Sequence, residues 1–97
     1  MPTYILRSRY TQQGLEQVKD GPARVEAARK TLESLGGQLR SFHLTMGQYD
    51  AVAVIEAPDD EAVARFSIAI GSQGNVRIES MRAFDEDQFH SLVRNLP

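Results

Sequence analysis

From Tyr4 to Tyr10 apolar and polar positions alternate loosely, with aromatic and aliphatic side chains, which predicts a first strand. Thr11 then stands where it can cap a short helix that Gly14 weakens. Gly21-Pro22 punctuates the chain, and Pro22 suits a first helical position because its missing N–H would go unsatisfied there anyway. From Ala23 onward Val25, Ala28, Leu32 and Leu35 recur at steps of three and four, with Arg24, Glu26, Lys30 and Glu33 mostly on the other side. This is the stripe of an amphipathic helix, ended by Gly36-Gly37. Gln38 to Met46 alternates with period two, and Ala51 to Ala57 is apolar on both faces up to Glu56, as a central strand requires. Gly47-Gln48-Tyr49-Asp50 joins them with a connection of hairpin length. Pro58 stops the strand, Asp59 caps a second long helix, and Ala62, Val63, Phe66, Ala69 and Ile70 form its buried stripe. Asn75 to Phe84 reads as a last strand. Asp85 caps a terminal helix whose Phe89, Leu92, Val93 and Leu96 are expected to pack inward.

The order β-α-β-β-α-β with a trailing helix fits a single α+β domain over residues 1–97. Two right-handed βαβ crossovers give a four-stranded antiparallel sheet with both long helices on one face, the ferredoxin-like arrangement, in strand order 4-1-3-2. Composition narrows the classes. At 41% hydrophobic and 25% charged residues the chain is of ordinary globular type. A net charge of −2, with Lys and Arg scattered, gives no footprint for nucleic acid or anionic lipid. No cysteine is present to form a disulfide, a thiolate metal site or a thiol nucleophile. The amino end carries Arg7 and Arg9 among its apolar residues, unlike a signal peptide, and no apolar stretch nears spanning length, so a cytoplasmic location without membrane contact is expected.

If the helices cover one sheet face, the other stands open. Leu39, Ser41, His43 and Thr45 are expected there from the second strand, with Phe42, Leu44 and Met46 toward the helices. The third strand contributes either Val52 and Val54 or Ala51, Ala53 and Ile55. Both sets are apolar, and monomers seldom leave so wide an apolar patch wet, so a homodimer joined sheet to sheet around a twofold axis is expected.

The stretches "YTQQG", "RVEAARKTLESLGG", "TMGQYDAVAVIEAPDDEAVARF" and "GSQGNVRIESMRAF" are similar to those of the GYD-domain family, with Gly47, Tyr49 and Asp50 as the name-giving residues. The resemblance spans essentially the whole chain and implies the dimeric α/β-barrel form of the ferredoxin-like fold. It implies no particular chemistry, because that superfamily includes cofactor-free oxygenases, haem-processing enzymes and ligand-sensing regulatory modules.

Candidate site residues lie in three places. In the turn, Gly47 supplies a positive φ, Asp50 can accept backbone N–H groups, and Tyr49 can lie over a sheet edge; turn chemistry alone accounts for all three. The functional alternative makes Asp50 a proton acceptor and Tyr49 a phenolic donor at the rim of a pocket. His43 is the candidate base or ligand, since histidine is the residue type suited to proton transfer near neutral pH and this one shares a face with Ser41 and Thr45, and superfamily members often work with a histidine at the sheet interface. An interface histidine bonded to a neighbouring hydroxyl is the plainer reading. His90 is expected in solvent, and the histidine spacing offers no metal-ligand pattern, so neither metal nor cofactor is expected. Arg7, Arg9, Arg77, Glu79 and Arg82 form the third group: a cross-strand network pairing Arg7 or Arg9 with Glu79, or the lining for a carboxylate.

Three functions are consistent with these residues. The first is a homo-oligomeric module holding a small, partly apolar anion at the sheet interface through His43, Tyr49, Asp50, Arg7 and Arg77. The second is a cofactor-independent, oxygenase-like enzyme acting on an activated aromatic substrate with His43 as base. The third is an assembly subunit without ligand.

Overall fold

The structure is a computed structural model and describes all residues from Met1 to Pro97. Strand β1 (Thr3–Tyr10) leads through a short helix α1 (Gln12–Glu16) and a 3₁₀ turn (Val18–Asp20) into helix α2 (Gly21–Ser34). Strands β2 (Gln38–Leu44) and β3 (Ala51–Glu56), helix α3 (Asp60–Gly71), strand β4 (Val76–Ala83) and helix α4 (Glu86–Arg94) follow. The four strands form one sheet in the order β2-β3-β1-β4, every neighbouring pair antiparallel.

The boundaries have local causes. Thr11 accepts from Gly14 N at 3.1 Å and so caps α1. Gly14 is required there for a different reason from flexibility: a Cβ would lie 2.0 Å from the carbonyl oxygen of Asn75. Helix α2 ends in a left-handed turn, with Gly36 at φ +84° and the N–H of Gly37 donating to Leu32 O at 2.9 Å. Asp59 accepts from Ala62 N at 2.9 Å, and Asp85 and Gln88 close a reciprocal capping box on α4.

The core lies between the sheet and the two long helices. Tyr4 and Leu6 of β1, Ile55 of β3, Ala57, Leu32 of α2, and Ala62, Val63 and Phe66 of α3 form one buried cluster. Of the two alternatives for β3, the structure selects Ala51 and Ile55 for the helix side; their intervening neighbours Val52 and Val54 turn away and remain half-exposed.

Three expectations are corrected. Leu39 packs against the core, not on the open face. A β-bulge is the cause: Leu39 pairs with Ile55 and Ser41 with Val54, so Arg40 is an extra residue that reverses the alternation on either side of it. Leu44 and Met46 lie beyond the cover of the helices, 72% and 100% exposed, because the β2–β3 hairpin runs past the helix layer. Finally, α4 does not fold back: Phe89, Leu92, Val93 and Leu96 all stay about half exposed or more. This leaves the chain elongated, with extents of 51 × 31 × 18 Å.

Candidate functional site

On the face of the sheet without helices, β1 presents Ile5, Arg7 and Arg9, β3 Val52 and Val54, β4 Arg77, Glu79 and Met81, and β2 Ser41 and His43. The register fixes this grouping: Ile5 lies between Val54 and Met81, Arg7 between Val52 and Glu79, and Arg9 opposite Arg77. His43 pairs with Val52 on the outermost strand. An apolar centre thus borders a corner rich in arginine.

The hairpin closes over that corner. Gly47, at φ +104°, lets the chain reverse in a conformation that costs other residues strain. Thr45 N donates to Asp50 O at 2.9 Å, and the Thr45 hydroxyl donates to Tyr49 O at 2.7 Å. The Asp50 carboxylate accepts from Tyr10 N at 2.9 Å while its own N–H donates to Ser8 O, which fastens the hairpin to β1. Asp50 therefore has a structural partner on both sides.

Tyr49, fixed next to that anchor, lies over the sheet. The guanidinium carbons of Arg7 and Arg9 sit 4.2 and 4.7 Å from its ring centroid, within cation–π range. Its hydroxyl donates to Glu79 Oε2 at 2.7 Å, and Arg7 Nη2 is hydrogen-bonded to Glu79 Oε1. Arg9 Nε also donates to Gln48 O at 3.0 Å. The Tyr49 hydrogen bond, then that of Arg7, holds the Glu79 carboxyl below its ordinary value by stabilising the charged form. Arg7 Nε is buried and has no acceptor, a donor that folded proteins rarely leave unpaired. Three arginines against one carboxylate give the corner a positive excess.

Of the five candidates, Arg7, Tyr49 and Arg77 share this corner. His43 lies exposed on the same face, one strand beyond β3, with no hydrogen-bonded partner to orient it. Asp50 belongs to the hairpin's anchoring. Arg82 separates from the group: it is on the helix side, its guanidinium 5.7 Å from the Tyr4 ring centroid and 4.5 Å from that of Phe84. Arg9, expected in the arginine group but not among those five, joins the corner because its two-residue spacing from Arg7 puts both on one face.

A second concavity lies beneath the helices. It has a volume of about 130 Å³ and is bounded by α2, α3 and the covered face of the sheet.

Residues 4–93 match the family model for the GYD domain. A protein of Thermus thermophilus, described as "Glutamine synthetase and cystathionine beta-lyase binding protein", is 33% identical over 84 residues, spanning 86% of this chain and 88% of that protein. A crystal structure from the same organism superposes with a TM-score of 0.56 at 25% identity, covering 88% of this chain and 95% of the other. The leucine response regulatory protein of Mycobacterium tuberculosis superposes with a TM-score of 0.57 at 15% identity, over 87% of this chain and 51% of that one, and shares the fold.

Proposed function

The chain belongs to the GYD domain family, and from that premise we propose that it is a binding module which assembles through its open sheet face. In this reading two copies cover each other's Ile5, Val52, Val54 and Met81. The arginine corner at the edge of the interface then receives the anionic end of a small, partly apolar ligand. The observation that carries the reading is the corner itself: three arginines, one carboxylate and a buried, unpaired Arg7 Nε–H beside an apolar surface. Arg7 is pre-positioned by Tyr49 and Glu79, which reduces the ordering cost of gripping a carboxylate. Base catalysis by His43 has less support, since no carboxylate or hydroxyl orients its imidazole.

Native mass spectrometry of untagged protein, followed by denaturation, tests the ligand. A small anionic adduct, released on denaturation and absent from an Arg7→Ala/Arg9→Ala variant, is expected. An adduct that survives in the double variant, with salicylate still giving saturable methyl shifts at Ile5, Val52 and Val54, would contradict the assignment.

A protein partner is a second reading, favoured by the description of the Thermus relative and by the exposed apolar stripe of α4. Glutamine synthetase from the same source organism should then co-elute with the full chain but not with one ending at residue 85. Equal co-elution of both would remove α4 from the account.

A further inference from the structure

The concavity under the helices is separate from the open face and lies within one protomer. Its walls come from Val25 and Ala28 of α2, Phe42 of β2, Ala53 of β3, Ile70 of α3 and Ile78 of β4. Ala28 of α2 and the alanines Ala51 and Ala53 of β3 all line it, and their small side chains fill little of the space. The two ends of this layer differ accordingly. Toward Leu32, Phe66 and Ile55 it is closely packed, whereas Val25, Ala28, Phe42 and Ile78 stay partly exposed.

Protein interiors seldom leave voids larger than a water molecule, and an apolar cavity of about 150 Å³ is enough to take up benzene. At about 130 Å³ this one suits a single aromatic ring or a short branched chain. Its polar groups are one-sided. The lining residues that carry polar groups are Arg24, Arg29, Ser8, Tyr10, Gln73 and Asn75, with no Asp or Glu among them. Arg24 Nη2 donates to Gln17 O at 2.8 Å, and more weakly to Gly14 O at 3.5 Å, which ties that nitrogen and leaves Nη1 and Nε for a ligand. Asn75 Oδ1 accepts from Gln13 Nε2 at 3.0 Å, so its own N–H groups remain to donate. Arg29 Nε lies 3.4 Å from Glu26, a carboxylate outside the lining.

We propose that this cavity binds a small apolar monocarboxylate, with the ring or branched chain against Ala28 and Ala53 and the carboxylate toward Arg24 and Asn75. An ammonium group finds no acid there, so amines and zwitterionic amino acids of the same shape are excluded by an unpaired charge. The site is independent of the ligand proposed at the interface.

Methyl-resolved NMR titration of the full chain with benzoate, and with benzylamine as its cationic counterpart, tests the proposal. Benzoate should give saturable shifts at Val25, Ala28 and Ala53, and benzylamine should bind at least about tenfold more weakly. Ala28→Phe should abolish the benzoate shifts; if that variant fails to fold, Ala53→Leu fills the cavity from the sheet side. Val54→Arg, on the opposite face, should leave them unchanged. Absence of saturation, equal binding of benzylamine, or persistence in the filled variant would overturn the proposal. Shifts confined to Ile5, Val52 and Val54 would also overturn it, while supporting the interface ligand.

Discussion

The two faces of the sheet are built from alternate residues of the same strands, yet their surroundings differ sharply. On β1, Tyr4 and Leu6 are buried, while Ile5 between them stays half-exposed; on β3, Ile55 is buried and Val54 beside it is not. Composition does not separate them, since valine and isoleucine are as apolar as what the helices cover. The difference is the absence of a covering layer within the chain. Stability should therefore depend on one face and association on the other, and substitutions can tell them apart.

The largest effect is expected at Leu32, which is 1% exposed and central to the covered cluster. Leu32→Ala should cost about 3 kcal/mol in urea unfolding, near 15 °C in Tm for a domain this size. Val54→Ala in dilute, dissociated protein should cost less than about 1 kcal/mol, because its methyl groups are already half in water. Equal losses would remove the distinction between the faces.

Next comes association. Val54→Arg puts charge at the centre of the open face and should weaken self-association by more than about tenfold, or ~1.4 kcal/mol. Far-ultraviolet circular dichroism should be unchanged. A variant that associates as well as the parent would show the interface to be elsewhere.

A smaller effect sits at the edge of the covered face. The buried Tyr4 hydroxyl donates to Asp60 Oδ1 at 2.5 Å, and this bond, then burial, raises its pKa from 10.0 to about 12. The folded state thus holds the phenolic proton more tightly than the unfolded chain. Its contribution is fully present below pH 10 and is lost as pH rises from 10 toward about 12. Tyr4→Phe should cost about 1 kcal/mol at neutral pH and flatten that alkaline loss. A variant with the parent's alkaline slope would contradict the assignment.

Glu79 gives the smallest and opposite effect. Its folded pKa lies below the ordinary 4.5, so its contribution is present above that value and is lost as pH falls through the lowered one. The carboxylate is exposed, so Glu79→Gln should leave neutral-pH stability nearly unchanged while reducing the loss in acid. A marked loss at neutral pH would mean that the corner supports the fold rather than a ligand.

Much of this architecture was legible in the residues. The three- and four-step stripe from Val25 to Leu35 and the caps at Asp59 and Asp85 marked the helices, and the 4-1-3-2 order brought Arg7 or Arg9 to Glu79, of which the register selects Arg7. The bulge at Arg40 was not legible, because a two-residue period assumes an uninterrupted ladder and one additional residue reverses Leu39. Nor was the exposure of α4: amphipathicity says that a face requires cover, not which molecule supplies it. Tyr49 could be placed in the turn, but its approach to both arginines depends on the path set by Gly47 and by the hold of Asp50 on Tyr10. The cavity beneath α2 is lined by three alanines, Ala28, Ala51 and Ala53, and a space left by small side chains is a matter of packing that periodicity does not record.

The most direct test of the open face as the binding face is the native mass of the untagged protein beside that of Val54→Arg. The account predicts an integral multiple of the protomer mass for the parent and the protomer mass for the variant. A parent at the protomer mass at micromolar concentration, or a variant that keeps the parent's multiple, would contradict it.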